Sequence, residues 1–238
     1  MSGTTDGRVP LLARALGLFS GALLCLLLFA ATAGVVFSGN SQAFDEAVIF
    51  NLRTAGDLSA PAGPGWLLPF ARDLTALGGT PVLTVATMVL AGWFIVRRQW
   101  TLFAILLVAV IGQTLLANGF KELFGRPRPD LVPHLVPASG NSFPSGHSTS
   151  AAAIYLTLAA MIASQTRAAA ARAYVFVVAV MLALIVGASR VYLGVHYPTD
   201  VIGGLSFGAA WAAIVWIAAR RGSPQAFWAR PTFENQKP

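Results

Sequence analysis

Charge is scarce in this chain. Of its 238 residues 11% are Asp, Glu, Lys or Arg, against about 25% in an ordinary soluble domain. A disordered chain and an average soluble enzyme are thereby excluded. Cysteine is nearly missing too. Cys25 stands alone, so no intrachain disulfide can form and a disulfide-stapled secreted module is ruled out. Lysine occurs only as Lys121 and Lys237, and histidine only as His134, His147 and His196. There is no internal repeat and no low-complexity tract. What fills the chain is apolar: 56% of residues are hydrophobic and the mean hydropathy is +0.68. That composition belongs to an integral membrane protein of one domain.

Six apolar segments predict membrane spans: Leu11–Phe37, Thr80–Val96, Thr101–Gly119, Ser148–Ala163, Ala168–Ala188 and Val201–Ala219. A crossing helix needs about 20 residues, with a range of about 17–25. The first segment exceeds the about 7–15 apolar residues of a signal-peptide core, which favours a retained span over a cleaved leader. Arg172 in the fifth must sit near an interface and snorkel. Between the first two spans, Phe44–Leu52 reads as a short interfacial helix. Asp73 is expected to cap the second span.

The net charge of +7 does not indicate nucleic acid, because the basic residues stand in ones and twos between apolar runs. They set topology instead. With the N-terminus inside, ten basic residues are cytoplasmic (Arg8, Arg14, Arg97, Arg98, Arg167, Arg172, Arg220, Arg221, Arg230 and Lys237). Six are external: Arg53, Arg72, Lys121, Arg126, Arg128 and Arg190. The positive-inside rule selects this orientation.

Lys121, Arg128, Ser145, His147, Arg190, His196 and Asp200 then gather in or beside the last two outer segments. Ionisable groups at span ends are costly unless they pair or serve a site. In Lys121–Pro129, arginine can grip two phosphate oxygens while lysine acts as a movable point charge; the same stretch also reads as a solvated basic loop near lipid headgroups. Arg126 within it is either an extra anion contact or loop solvation. Pro144-Ser145-Gly146-His147 precedes the fourth span, where free N–H groups and the helix dipole favour anions. Gly146 lets a ligand come close, although an ordinary N-cap is the plain alternative. In Ser189–Asp200, Pro198 suits the first turn of the last helix. Asp200, four residues after His196, can accept the Nδ1 proton and leave Nε2 free as a nucleophile or base. A capping Asp beside an interfacial His is the alternative. Tyr192 and Tyr197 read as interfacial anchors, and His134 as a solvated loop residue. Taken together, such an ordered set arises by chance in less than about one chain in a million, so the separate bland readings do not explain it.

These three stretches resemble the signature motifs of the type 2 phosphatidic acid phosphatase superfamily: Lys, six residues, Arg-Pro; Pro-Ser-Gly-His; and Ser-Arg, five residues, His, three residues, Asp. All are complete and in order, across about Thr80 to Ala219. The resemblance implies an all-α fold, a six-helix transmembrane bundle with the active site at the outer membrane interface. The expected division is a cytoplasmic N-terminus at 1–10, the membrane phosphatase domain at 11–220 and a cytoplasmic tail at 221–238. It implies that His196 attacks phosphorus and forms a phosphohistidine, that Asp200 orients it, and that His147 protonates the leaving oxygen. Lys121, Arg128, Arg190, Ser145 and the Gly146 amide would hold the phosphoryl oxygens. No metal and no cofactor are implied. The expected partners are the bilayer and a phosphorylated lipid, such as phosphatidic acid, phosphatidylglycerol phosphate or undecaprenyl diphosphate. The expected location is the bacterial cytoplasmic membrane with the site facing outside. A lipid phosphotransferase on the same site, or a non-catalytic anionic-lipid transporter, is the alternative. Oligomeric state is not legible.

Overall fold

The computed structural model describes residues 11–222, with side chains from Leu16 to Arg220. The expected segment 1–10 and nearly all of the tail 221–238 lie outside the described residues. Eight helices follow one another: α1 Leu11–Phe37, α2 Gln42–Asn51, α3 Leu67–Ala76, α4 Thr80–Val96, α5 Trp100–Phe124, α6 Gly146–Ser164, α7 Ala169–Tyr192 and α8 Pro198–Gly222. A two-stranded antiparallel ribbon, β1 Arg53–Thr54 and β2 Asp57–Pro61, links α2 to α3.

The protein is an all-α transmembrane bundle. Among the described residues four helices are long and apolar enough to cross a membrane: α1, α5, α7 and α8. A fifth crossing is formed if α3 and α4, bent by 41°, count as one. Six spans were expected, the second and fourth near the lower limit of length; α4 qualifies only together with α3, and α6 falls short. Its 19 residues include His147, Ser148, Thr149, Ser150, Thr157 and Ser164. The physical reason is its position. α6 packs against α5, α7 and α8, and Ala151, Ala153, Ser148 and Thr149 have no exposed surface. A helix that meets protein on its faces needs no lipid-compatible surface. By contrast Leu24, Val89, Leu115 and Val177, on α1, α4, α5 and α7, are more than half exposed, as lipid-facing positions should be.

Close approach holds the centre together. In a membrane, small residues let helix backbones meet. A Cβ at Gly204 would lie 2.7 Å from the Ser145 carbonyl oxygen, and one at Gly208 would lie 2.4 Å from that of Thr149. Those two glycines, one turn apart on α8, therefore set its distance to α6. α1 joins the bundle through Phe29, whose ring sits 5.0 Å from Phe120, 5.4 Å from Phe207 and 5.9 Å from Phe143. The N-cap of α4 is Gly79; Asp73 lies inside α3 and does not cap that span. Tyr192 is buried and donates its hydroxyl to the Ala62 carbonyl at 3.0 Å, so it ties the ribbon to α7 rather than anchoring at an interface.

Candidate active site

Helices overrun the apolar segments at one end of the bundle, and that overrun builds the site. α5 continues to Phe124, so Lys121 stands on its last turn. Gly125, in the left-handed conformation (φ 57°), ends the helix, and its N–H reaches the Lys121 carbonyl at 3.0 Å. α7 likewise runs on to Tyr192 and carries Arg190 in its last turn. α6 starts at Gly146 with Ser145 as its N-cap, and α8 starts at Pro198 with Asp200 in its first turn. Backbone hydrogen bonding is indifferent to a polar side chain, so a helix passes the point where the apolar run stops. The Ser145 N–H donates to the Asp200 carbonyl at 3.0 Å, which locks the start of α6 to the start of α8.

His196 follows a turn at Gly194 (φ 74°), where a Cβ would lie 2.4 Å from Arg53 Nη2. Only glycine combines that backbone conformation with that space. The imidazole is 1% exposed. Arg128 Nη1 donates to its Nε2 at 3.0 Å. Arginine is never an acceptor, so this contact makes Nε2 the unprotonated nitrogen and puts the proton on Nδ1. Nδ1 faces Asp200 Oδ2 at 3.4 Å and Ser142 Oγ at 3.3 Å. Asp200 Oδ2 also accepts from the Tyr197 N–H at 2.8 Å and from Ser142 Oγ. Burial is the main force on this ring: it pushes the His196 pKa down to about 4, against the pull of Asp200 and with help from Arg128 and Arg190. The ring is therefore neutral at pH 7.

The cations surround it. Arg128 is held by carbonyls of Ser139, Gly140 and Val195 at 2.8–3.0 Å. Lys121 Nζ donates to the Asn141 carbonyl at 2.5 Å, and Asn141 returns a bond to the Lys121 carbonyl at 2.9 Å. Arg190 Nη1 donates to Thr75 Oγ1 at 3.0 Å, while among the described residues its buried Nε has no partner. A buried donor without a partner is expensive, and an anion is the ligand it fits. The Gly146 position is open: a Cβ there would meet only Lys121 Cε, at 3.8 Å. His147 is half-buried and feels the charges of Arg190, His196, Arg128 and Lys121. It lines a cleft of about 380 Å³ that runs between α4, α5 and α6. The structure thus gathers His196, His147, Asp200, Lys121, Arg128, Ser145, Gly146 and Arg190 at one end of the bundle. Ser145 is fully buried and accepts from Ser148 Oγ at 2.9 Å, so its hydroxyl is less available than the backbone beside it.

Four residues here escaped the sequence reading. Ser142 bridges His196 and Asp200, and Thr75 holds Arg190. Asp45 and Thr199 pair with Arg126, which proves to be neither a loose loop residue nor an open anion contact. The only signal for Ser142 was its place two residues before Pro144-Ser145-Gly146-His147. Asp45 gave none beyond being an acid in an amphipathic stretch. His134 is exposed, and its Nε2 lies 2.7 Å from the Pro129 carbonyl oxygen. Among the described residues no group of three or more His, Cys, Asp or Glu is placed to hold a metal ion.

A helical membrane bundle with fixed cations gathered round an imidazole at one end defines an integral membrane protein built to meet an anionic group. Known proteins make this specific. Residues 101–223 match the PAP2 superfamily. Phosphatidylglycerophosphatase B of Bacillus subtilis is 36% identical over 185 residues, covering 76% of this chain and 86% of that protein. The crystal structure of a transmembrane PAP2 type phosphatidylglycerolphosphate phosphatase from Bacillus subtilis superposes with a TM-score of 0.76 at 32% identity, covering 86% of this chain and 98% of that one. A lipid A 1-phosphatase of Rhizobium etli is 34% identical over 127 residues, half of each chain. The chain belongs to the PAP2 superfamily and is a membrane lipid phosphatase.

Proposed function

We propose that the protein hydrolyses the phosphate monoester of a glycerol-based membrane lipid, without a metal ion, through a phosphohistidine at His196. The observation that carries this reading is the state of His196: Nδ1 directed at Asp200 and Ser142, and Nε2 unprotonated beside Arg128. Nε2 attacks phosphorus, the bond to the lipid oxygen breaks, and that oxygen takes a proton from His147. Water then gives a proton to His147 and attacks the phosphohistidine, which releases inorganic phosphate and restores both rings. A covalent intermediate divides one difficult step into two. Attack requires Arg128 to leave the Nε2 lone pair, and incoming phosphoryl oxygens offer it a stronger acceptor. Lys121, Arg128, Arg190 and the start of α6 face the charge that spreads over the equatorial oxygens, which is where phosphoryl transfer gains most. The bound phosphate's own charge in turn stabilises a protonated His147.

The leaving group enters the cleft beside His147, between α4, α5 and α6. Thr80, Thr84, Gln113, Thr114, Asn118 and Ser150 line it. Gln113, Thr114 and Ser150 already bond within the protein, but a wholly apolar isoprenoid would still dehydrate this polar lining without new partners, whereas a glycerol unit can bond to it. The relatives named for phosphatidylglycerophosphate point the same way, and phosphatidylglycerol phosphate is the preferred candidate. In this reading α6 completes six crossings and the site faces outward from the bacterial cytoplasmic membrane, which the excess of arginine on the opposite side supports.

Phosphate release by the purified protein from a panel of phosphatidylglycerol phosphate, phosphatidic acid and undecaprenyl diphosphate, with and without EDTA, tests the proposal. The expected result is release with no added acceptor, undiminished by EDTA and highest for a glycerol lipid. Activity abolished by the chelator, or greatest on the isoprenoid, contradicts it. The pH profile gives a second expectation. A depressed pKa means that His196 keeps its lone pair well below the ordinary pKa of about 6.5. The acid limb of kcat/KM should therefore fall near pH 4. A limb near 6.5 assigned to this ring would contradict its burial.

A further inference from the structure

Arg126 stands between two buried carboxylates. Its Nη1 donates to Asp200 Oδ1 at 2.7 Å and to Thr199 Oγ1 at 2.8 Å. Its Nη2 donates to Asp45 Oδ2 at 2.7 Å and to Ser41 Oγ at 3.2 Å. The guanidinium carbon lies 4.3 Å from the centre of the Tyr197 ring. Asp45 also accepts from the Thr199 N–H at 3.0 Å and from Thr199 Oγ1 at 2.6 Å, so an acid from α2 caps the first turn of α8. Both Asp45 and Asp200 have no exposed surface.

The two oxygens of Asp200 have separate duties. Oδ2 faces His196, Ser142 and the Tyr197 N–H, whereas among the described residues Oδ1 has a side-chain partner only in Arg126. A cation paired with Asp200 alone would cancel most of the negative potential that Asp200 presents to the imidazole. Asp45 supplies a second anion on the far side of Arg126, so the three-membered cluster keeps a net charge of −1. That charge matters because His196 also faces Arg128 from the loop and Arg190 from α7, with Lys121 of α5 and His147 of α6 close by. Apart from Asp200, the charges that act most on the ring, those of Arg128 and Arg190, are positive. Attack by Nε2 places positive charge on the imidazole, and in this surrounding it needs a persistent anion at Nδ1.

We propose that Asp45 and Arg126 are positioning residues for the phosphoryl-transfer step: together they hold the Asp200 carboxylate in its His196-facing orientation and preserve its negative charge toward that ring. The outer helix α2 is thereby part of the electrostatics of the nucleophile, although neither residue reaches the phosphate. This inference rests on the phosphohistidine reading above.

The test uses the full-length protein and compares Asp45→Asn, Arg126→Lys and Asp45→Glu. Steady-state phosphate release, inhibition by inorganic phosphate and thermal unfolding are measured for each. Losing the outer partner of a metal-ligating side chain typically costs about 10–100-fold, and a drop of similar size is expected in kcat for Asp45→Asn and Arg126→Lys, where the partner orients a catalytic carboxylate instead. KM and the inhibition constant of inorganic phosphate should stay within about twofold, because the cations that meet the phosphoryl group are untouched. Asp45→Glu should recover part of the loss. Unchanged kcat in the first two variants overturns the proposal. So does loss of folded protein in both with normal turnover per folded molecule, since the pair would then be only a staple between α2 and α8. His196→Ala run alongside separates the two levels: full activity there sinks the phosphohistidine itself, whereas an inactive His196→Ala beside a normal Asp45→Asn sinks only the positioning role.

Discussion

His196→Ala is expected to abolish phosphate release while leaving the bundle folded. Removing the nucleophile of a covalent mechanism costs at least about 10⁴-fold in kcat, because the remaining donors still bind the substrate but no longer have a group to pass the phosphoryl to. The fold should survive because the neighbours of the ring keep other partners. Asp200 retains Arg126, Ser142 and the Tyr197 N–H, and Arg128 retains the carbonyls of Ser139, Gly140 and Val195. Phosphate release, together with phosphoenzyme trapping by rapid acid quench, measures the effect. Unfolding temperature and a monodisperse elution profile check the fold. A variant within about tenfold of the parent rate would remove His196 from the role of nucleophile.

Gly208→Leu should have the largest effect on stability. The Cβ alone would lie 2.4 Å from the Thr149 carbonyl oxygen, 2.9 Å from Ala152 Cβ and 3.0 Å from the Ala153 nitrogen. Two of these obstacles are backbone atoms of α6, which cannot turn aside as a flexible side chain can. Overpacking in a filled core costs about 1–3 kcal/mol, and a leucine against fixed backbone belongs at or above the top of that range. α6 and α8 would have to separate, which pulls the Ser145 N–H from the Asp200 carbonyl and opens the site. The expected outcome is loss of both folded protein and activity, read by thermal unfolding in detergent. Gly92→Leu is the matched control, because beyond its chain neighbours and the nearby backbone of its own helix no described atom lies within 4 Å of a Cβ there. Equal stability of the two variants would contradict the close α6–α8 contact.

The membrane class, the helical composition and the eight candidate site residues were legible in the amino-acid order. Each rests on a local quantity: apolar run length for the spans, and fixed spacing for Lys121–Arg128, Pro144–His147 and His196–Asp200. Span ends were less legible. Lys121 and Arg190 read as loop residues because the apolar run stops before them, yet both lie on the final turn of a helix. The number of apolar crossings was less legible: among the described residues four helices, or five with the bent α3–α4 pair, are long and apolar enough, against the six segments read from sequence. Hydropathy registers contact with lipid, and α6 has little of it. α3 and the ribbon went unseen, since Pro61, Pro64 and Pro69 suggest irregular chain.

Sequence by itself determined that the chain enters a membrane and that its candidate site residues share one end of the helices, because both follow from periodicity and from the alternation of span direction. Only the tertiary structure decided how those residues are charged and aimed. Arg128 fixes the tautomer of His196, Ser142 completes its contact with Asp200, and Asp45 reaches Arg126 from a helix more than 80 residues earlier in the chain. Such pairings depend on distances of about 3 Å across separate helices, and spacing along one chain carries no information about distances between chain segments that meet only on folding.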